Sequence, residues 1–276
     1  MSALYIRWDM DPIISNNFSI GYYNLLFAGG IFFCAYIIKN IFKKENILES
    51  YYYTLFYYCF IGIVFGARLG HCLFYEPSYY LNHPLEMILP FRINNGSIIF
   101  TGYRGLASHG GTLGLIIALY LFSKKTKIGM KKAFDYIAIV APLGACCIRI
   151  GNLMNSEIIG RETTVPWAFI FERVDLIPRH PAQLYEAIFY FCIFVLMLFL
   201  YKRQGESRKE GFFFGIVLTL IFSFRFLIEF LKERQVDFEN NMFLDMGQLL
   251  SIPFILTGLY FIMGHNPLFS YHRKNK

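Results

Sequence analysis

The sequence predicts an all-α polytopic membrane protein of seven transmembrane helices, with a small extracytoplasmic cap formed by its outer loops. More than half of the 276 residues are hydrophobic, and only 16% are charged, which leaves too little polar surface for a soluble protein of this length. Apolar blocks recur along the chain, each near the ~20 residues that cross ~30 Å of hydrocarbon. Basic residues are concentrated in alternate loops between these blocks. We interpret residues 1–276 as a single integral-membrane domain.

The apolar blocks give the expected helices in chain order. They are predicted at about 20–38, 51–74, 106–122, 132–149, 182–201, 211–231 and 246–264, with outer loops over 75–105 and 150–181. The third block is short and starts with several glycines, so a partly re-entrant segment is an alternative there. Residues 163–171 have a composition typical of a strand, which is why we expect a cap that contains β-structure.

The basic residues predict the orientation of the chain. One set of alternate loops, together with the C-terminal tail, carries nearly twice as many Lys and Arg residues as the opposite set, in fewer residues. The positive-inside rule then gives an extracytoplasmic N-terminus and a cytoplasmic C-terminus. The net charge of +7 follows from these loops, so it does not indicate a nucleic-acid partner. The six cysteines lie within apolar blocks and form no CxxC pair, so we predict neither a metal nor a cofactor.

Three arginines interrupt apolar blocks that approach the outer side, namely Arg68, Arg149 and Arg225. Charged groups at such places are costly and often functional. Each also has a plain explanation. Arg149 could snorkel from a helix end, Arg225 could pair with Glu229 one turn away, and Arg68 could bind backbone carbonyls. Together they predict a basic, partly buried pocket for an anion, and the abundant anion in a membrane is a lipid phosphate.

Two further polar stretches flank the predicted helices on the outer side. His109 precedes Gly110 and Gly111 at the start of the third block, where a histidine could act as a general base or simply satisfy a helix end. The stretch 179–186 opens the fifth block with Pro181 and Glu186, residue types that favour the first turn of a helix. We interpret most of this second stretch as a helix N-terminus.

The polar stretch from Arg149 to Gly160, Arg-x-Gly-Asn-x-x-Asn-x-Glu-x-x-Gly, resembles the signature of the bacterial prolipoprotein diacylglyceryl transferases. Other stretches are similar to that family in the same order, and the resemblance covers essentially the whole chain. They are Gly66-Ala67-Arg68-Leu69-Gly70 with Phe74-Tyr75, His109-Gly110-Gly111, Arg179-His180-Pro181-Ala182-Gln183-Leu184-Tyr185-Glu186, Arg225-Phe226 with Glu229-Phe230, and Met246-Gly247-Gln248-Leu249-Leu250-Ser251-Ile252-Pro253. The chain departs from the family at Ile148, Leu153 and His71, which are packing positions.

The resemblance implies a multi-pass enzyme of the bacterial inner membrane, with phosphatidylglycerol, the prolipoprotein signal peptide with its lipobox, and membrane lipids as partners. It implies transfer of the diacylglyceryl group to the lipobox cysteine, with release of glycerol phosphate. His109, Arg149 and Arg225 would then be catalytic. Phosphatidylglycerol would be bound by Arg149 and by the following residues: Tyr23, Arg68, Asn152, Asn155, Glu157, Gly160 and Glu229. Asn152, Asn155 and Glu157 would hold headgroup hydroxyls or orient the arginines.

Two other classes of protein could use buried arginines. A transporter or flippase for an anionic lipid or solute would more often contain internal repeats and broken helices in matching halves, and the sequence contains no convincing repeat. A non-catalytic lipid-binding protein would explain the arginines but not the titratable His109 in the same outer-side set.

Overall fold

The computed structural model describes residues 5–15, 20–89, 91–94, 97–100, 105–204, 209–233 and 243–263. The chain is mainly helical in these ranges, and six of the helices are long and apolar enough to cross a membrane. The prediction of a polytopic membrane protein is therefore confirmed.

Nine α-helices lie within the described ranges, and helices cover all seven predicted blocks. They are α1 Tyr22–Lys44, α2 Glu49–Phe74, α3 Pro77–Asn82, α4 Leu85–Ile88, α5 Ser108–Thr126, α6 Met130–Met154, α7 Ala182–Gln204, α8 Phe212–Ile228 and α9 Met246–Met263. A 3₁₀ turn over Glu229–Leu231 extends α8. The six apolar spans do not include α5, because glycines and polar residues occupy its ends.

α6 ends at Met154, beyond the predicted end at residue 149. The signature residues that look like loop in the sequence continue the helix for more than a full turn. Arg149 therefore lies inside the helix rather than at its terminus. The difference arises because polar residues end an apolar block without ending the helix, whose backbone bonds do not depend on side-chain polarity.

The described chain divides into two compact units, one of residues 39–133 and one of residues 1–38 with 134–276. In the first unit, α2 and α5 run antiparallel with glycines at their contact. A Cβ atom at Gly66 would overlap the carbonyl oxygen of Gly110, and one at Gly62 would lie 2.6 Å from the carbonyl oxygen of Gly114. The α2–α5 connection contains α3, α4 and an antiparallel pair, β4 (Phe91–Asn94) with β5 (Ser97–Phe100).

The second unit combines long helices with a small sheet. The sheet has the order β1 (Ile6–Trp8), β6 (Phe169–Phe171) and β7 (Pro178–Arg179), with β1 parallel and β7 antiparallel to β6. β2 (Ile13–Ser15) and β3 (Ile20–Gly21) form a separate antiparallel pair. Of the predicted strand-like residues 163–171, only the last three form a strand.

Two contacts tie the second unit together near its ends. Trp8 donates from Nε1 to the carbonyl oxygen of Leu153 at 3.1 Å and packs its ring against Phe169, so the sheet is fixed to the end of α6. Asp135 of α6 accepts the backbone N–H groups of Gly211 and Phe214 at 2.6 and 2.8 Å, which caps the start of α8.

Candidate active site

Arg149 lies in the next-to-last turn of α6, and its side chain is only 17% exposed. Its Nε atom is 3.1 Å from Oε2 of Glu186, and its Nη1 donates to Oδ1 of Asn152 at 3.3 Å. Both partners belong to the protein. The guanidinium is therefore held within the site, and the alternative of a snorkelling terminus does not describe it.

The chain reverses sharply after α6. The N–H of Ser156 donates to the carbonyl of Leu153 at 3.1 Å, and the N–H of Glu157 donates to the carbonyl of Asn152 at 2.9 Å. Ser156 has a φ of 54°, so this reversal is a Schellman motif, in which a left-handed residue ends the helix. The reversal brings Glu157 back beside Asn152.

The two asparagines of the signature both bind the carboxylate of Glu157. Asn152 donates to Oε2 and Asn155 donates to Oε1, each at 3.1 Å. Because Asn152 also accepts from Arg149, the three residues form one hydrogen-bonded chain behind the guanidinium. These contacts support the predicted role of orienting the arginine.

Glu186, in the first turns of α7, is fully buried. Its Oε2 faces Arg149, whereas its Oε1 lies 3.4 Å from Nζ of Lys232 and accepts from the hydroxyl of Tyr190 at 3.2 Å. A carboxylate without solvent is costly unless it is paired and hydrogen-bonded. Both hydrogen bonds here go to Oε1, from Tyr190 and Lys232, whereas Oε2 has the ion pair with Arg149 but accepts no hydrogen bond among the described residues. From the sequence, Glu186 was expected only at a helix N-terminus, in a stretch that resembles the family.

Lys232 and Glu229 connect this carboxylate to Arg225. Nζ of Lys232 is 3.1 Å from Oε1 of Glu229, and Nε of Arg225 is 3.8 Å from the same oxygen. The predicted pair between Arg225 and Glu229 is thus present, although it is too long for a hydrogen bond. We call the series Arg149, Glu186, Lys232, Glu229 and Arg225 the charge network.

Arg225 is the least constrained cation of the charge network. Its side chain is 39% exposed, compared with 17% for Arg149 and 7% for Lys232. Its buried Nε atom has no hydrogen-bond partner among the described residues. The guanidinium can therefore accept a new anionic partner without breaking a strong existing bond.

Two glycines allow the backbone to approach closely around the signature. A Cβ atom at Gly151 would lie 2.7 Å from the ring of Tyr23, so this glycine lets α1 pack against α6. A Cβ atom at Gly160 would lie 2.6 Å from the carbonyl oxygen of His180 and 2.7 Å from that of Leu231. Gly160 thus lies where the segments after α6, before α7 and after α8 meet.

The first turn of α9 supports the far end of the charge network. A Cβ atom at Gly247 would lie 2.6 Å from Oε1 of Glu229, so a larger residue there would displace that carboxylate from its present position. Gln248 is buried and donates to the carbonyl of Phe226 at 3.3 Å. The motif that opens the last predicted helix therefore packs behind Glu229.

A second group of polar side chains lies just before α7. Nδ1 of His180 is 3.2 Å from the hydroxyl of Tyr185, which accepts from Nε1 of Trp167 at 2.8 Å. Burial lowers the pKa of His180 from its ordinary value. The guanidinium of Arg179 holds the pKa of Asp175 below its usual range by hydrogen bonding to the carboxylate.

Arg68 and His109 belong to the unit of residues 39–133. Arg68 is buried, and it donates to the carbonyl of Met87 at 3.2 Å and to that of Glu86 at 2.7 Å. Its guanidinium also lies 4.9 Å from the ring centroid of Tyr80. The backbone-carbonyl alternative therefore describes Arg68. His109 is exposed in the first turn of α5.

The formal charges of the groups around Arg149 balance. Three cations stand against three carboxylates: Arg149, Arg225 and Lys232 against Glu157, Glu186 and Glu229. An anion is therefore not drawn here by a net positive charge among these groups. It would be bound by directed donors, for which a planar guanidinium suits a phosphate.

Glu186 and Lys232 were not predicted from the sequence as members of the site. Lys232 follows Glu229 by three residues and Arg225 by seven, a spacing that puts all three on one helical face. That spacing was a usable signal. For Glu186 the only signal was its place in the stretch 179–186 that resembles the family, because its two cationic partners lie far away in the sequence.

The comparisons with known proteins agree with the resemblance in the sequence. The family model described as prolipoprotein diacylglyceryl transferase matches residues 12–264. A protein of Bacteroides fragilis named phosphatidylglycerol–prolipoprotein diacylglyceryl transferase is 58% identical, and the match covers 94% of this chain and 95% of that protein. Proteins with the same name from Chloroherpeton thalassium and Porphyromonas gingivalis are 45% and 41% identical. These two matches cover 95% and 94% of this chain, and 94% of each relative.

Proposed function

The chain belongs to the prolipoprotein diacylglyceryl transferase family, and on that premise we propose that it transfers the sn-1,2-diacylglyceryl group of phosphatidylglycerol to the lipobox cysteine of prolipoproteins. The observation that carries this function is the 58% identity, over nearly the full length of both chains, to a relative with that name. The chain is thus a transferase of lipoprotein biosynthesis and a multi-pass membrane protein.

The reaction makes one bond and breaks one. The thiolate of the substrate cysteine attacks the glyceryl carbon that carries the phosphate ester, a C–S bond forms and the C–O bond breaks. The oxygen leaves with the phosphate as glycerol phosphate, and the thiol proton goes to a base. The protein must therefore help to form a thiolate and stabilise the negative charge that grows on the leaving phosphate.

Arg149 and Arg225 are the cations that we assign to the phosphate. Arg225 suits the first contact, because its side chain is the most exposed of the charge network and its contact with Glu229 is too long for a hydrogen bond. Arg149 suits the leaving-group charge, because its direction is already fixed by Asn152 and Glu186. A group held in advance stabilises developing charge without a reorganisation cost. The lipid-binding set that we propose also contains Tyr23, Asn152, Asn155, Glu157, Gly160 and Glu229. It includes Arg68 on the resemblance alone, because the Arg68 guanidinium already donates to backbone carbonyls.

His109 is the residue that we propose as base or orienting group for the incoming thiol. A cysteine thiol has a pKa near ~8.5, so little thiolate is present at neutral pH without a base. Imidazole titrates in the range where it can take that proton. Its exposure in the first turn of α5 leaves the ring accessible to a substrate.

The orientation that we propose has an extracytoplasmic N-terminus, a cytoplasmic C-terminus and seven crossings of the bacterial inner membrane. Basic residues occupy the last turns of α1, α5 and α7, as the positive-inside rule requires for ends that face the cytoplasm. The sheet of β1, β6 and β7 would then belong to the outer cap.

A reconstituted assay tests the proposed function directly. The purified protein is incorporated into vesicles that contain phosphatidylglycerol, and a lipobox peptide is added with and without its cysteine replaced by serine. Mass spectrometry should detect a thioether-linked diacylglyceryl peptide only with the cysteine peptide, together with released glycerol phosphate. Movement of phosphatidylglycerol between leaflets without product would instead indicate a lipid transporter.

The His109→Gln variant tests the role at the thiol. We expect the rate of product formation to fall most at neutral pH. It should recover partly as the pH approaches the pKa of the free thiol, because hydroxide then replaces the missing base. The pH profile of product formation is the measurement, with His83→Gln, an exposed histidine of the same unit, as the control. A defect of equal size at every pH would assign His109 to positioning alone.

A further inference from the structure

We propose that Glu186 is a positioning residue for the transfer, which fixes Arg149 and Lys232 through the two oxygens of one buried carboxylate. The inference rests on the proposed function, because it concerns Arg149, one of the two cations assigned to the donor phosphate. Glu186 itself does not contact the lipid. It acts through the two cations that it holds.

The contacts of Glu186 join three parts of the chain. Oε2 faces Arg149 of α6, and Oε1 faces Lys232, which follows α8 and lies 46 residues away in sequence. The side chain of Glu186 is fully buried and that of Lys232 is only 7% exposed. Such a carboxylate is shielded from water and salt, so its pull on both cations is far stronger than that of a surface pair.

The carboxylate also fixes a direction. Nε of Arg149 makes an ion pair with Oε2 of Glu186, although that oxygen accepts no hydrogen bond among the described residues, and Nη1 donates to Asn152. No described residue hydrogen-bonds to Nη2 of Arg149. A guanidinium is planar, so two held nitrogens determine where the third one points. Glu186 and Asn152 together therefore aim the remaining edge of Arg149 toward a ligand.

An amide in place of this carboxylate would not do the same work. Glutamine offers one acceptor oxygen and a donor NH₂ group, so it can face only one of the two cations favourably. The other cation would then lie beside an amide donor, while Arg149 and Lys232 would repel each other without the charge between them. We therefore expect both to move in a Glu186→Gln variant.

Steady-state kinetics with varied phosphatidylglycerol test the proposal in the full-length protein. For Glu186→Gln we expect kcat to fall by about 10²-fold, because a displacement near 1 Å can cost that much. KM for phosphatidylglycerol should change by less than about threefold, since the lost interaction matters mainly in the transition state. The melting temperature of each variant is measured in parallel.

Glu186→Asp separates position from charge. Its carboxylate keeps the charge but is withdrawn by about one C–C bond, ~1.5 Å, from both cations. We expect kcat to fall again by about tenfold or more. A kcat near that of the wild type would mean that only the charge matters and would overturn the proposal. This variant also decides the question if Glu186→Gln does not fold.

Glu172→Gln is the matched control, because it removes another carboxylate that pairs with an arginine, Arg7, in the same unit. Its kcat should remain that of the wild type. If the Glu186 variants only melt at a lower temperature and keep the kcat of the wild type per folded molecule, Glu186 is a structural residue and the inference fails. The proposed function fails separately, if the wild type itself forms no thioether product.

Discussion

At the residue scale, the arginines of this protein differ in how far their bonding capacity is already used. Arg68 is committed to two backbone carbonyls and an aromatic ring. Arg149 is committed in part, to Glu186 and Asn152, whereas Arg225 has one long contact with Glu229. This order explains why a resemblance in sequence alone could not divide the roles among them. The division that we propose follows from which of their donors already have partners within the protein.

The Arg149→Lys variant tests the role of the fork geometry. Lysine keeps the charge, but one ammonium group cannot face Glu186, bind Asn152 and bind a phosphate along fixed directions. We expect the rate of thioether formation to fall by about 10²-fold or more, as when a single preorganised donor is lost from an anion site. Arg7→Lys, at an exposed arginine paired with Glu172, is the control. Turnover near that of the wild type would remove Arg149 from the phosphate.

His180 makes the stability of the fold depend on pH. Burial lowers the pKa of this histidine in the folded protein, so below about pH 6.5 the unfolded chain binds the proton more readily. The free energy of unfolding should therefore fall as the pH decreases from about 6.5 through the lowered pKa. Melting temperatures at pH 8 and pH 5.5 should differ more for the wild type than for His180→Gln. An equal difference in both proteins would contradict this assignment.

At the scale of elements, the helices pack by close backbone contact where glycines face each other. α2 and α5 meet through Gly62, Gly66, Gly110 and Gly114, and α8 and α9 meet at Gly215 and Gly258. Small residues are the usual means by which helices approach each other in lipid, because burial of apolar surface gives no advantage there. The glycine-rich start of the third apolar block, for which a re-entrant segment was the alternative, lies on the side of α5 that contacts α2.

A pair of Gly→Ala variants tests this interface. A methyl group at Gly66 would overlap the backbone of Gly110, which cannot move aside as a side chain could. We expect Gly66→Ala to lower the free energy of unfolding by about 1–3 kcal/mol, the usual cost of overpacking. Gly29 of α1 is the control, because a Cβ atom there would meet nothing within 4 Å. Gly29→Ala should melt at or above the temperature of the wild type, and equal losses in both variants would disprove the interface argument.

At the scale of the whole molecule, the apolar blocks in the sequence predicted where the long helices lie, because membrane thickness sets their length. The predicted helix ends were less accurate where polar residues continue a helix, as in residues 150–154 of α6. The sequence pattern could not join Glu186 to Lys232, because that contact depends on how distant segments come together. The signature from Arg149 to Gly160 was found because its residues are consecutive in the chain.

The number of membrane crossings depends on α5, which the six strongly apolar helices do not include. We predict that α5 crosses. It has 19 residues, a length of about 28 Å at ~1.5 Å per residue, which nearly matches the hydrocarbon core. It runs antiparallel along α2, which is one of the six. Its exposed side chains Leu113, Ile116, Ile117, Tyr120 and Leu121 form an apolar stripe of the kind that faces lipid.

Seven crossings place the two termini on opposite sides of the membrane, whereas six would place them on the same side. Epitope tags at each terminus of the full chain, followed by protease treatment of spheroplasts, distinguish the two cases. We expect the N-terminal tag to be cleaved and the C-terminal tag to survive until the membrane is permeabilised. Survival of both tags, or cleavage of both, would show that α5 does not cross. The positive-inside assignment of the loops after α5 would then be wrong. His109 and the charge network would in that case have a topology other than the one proposed.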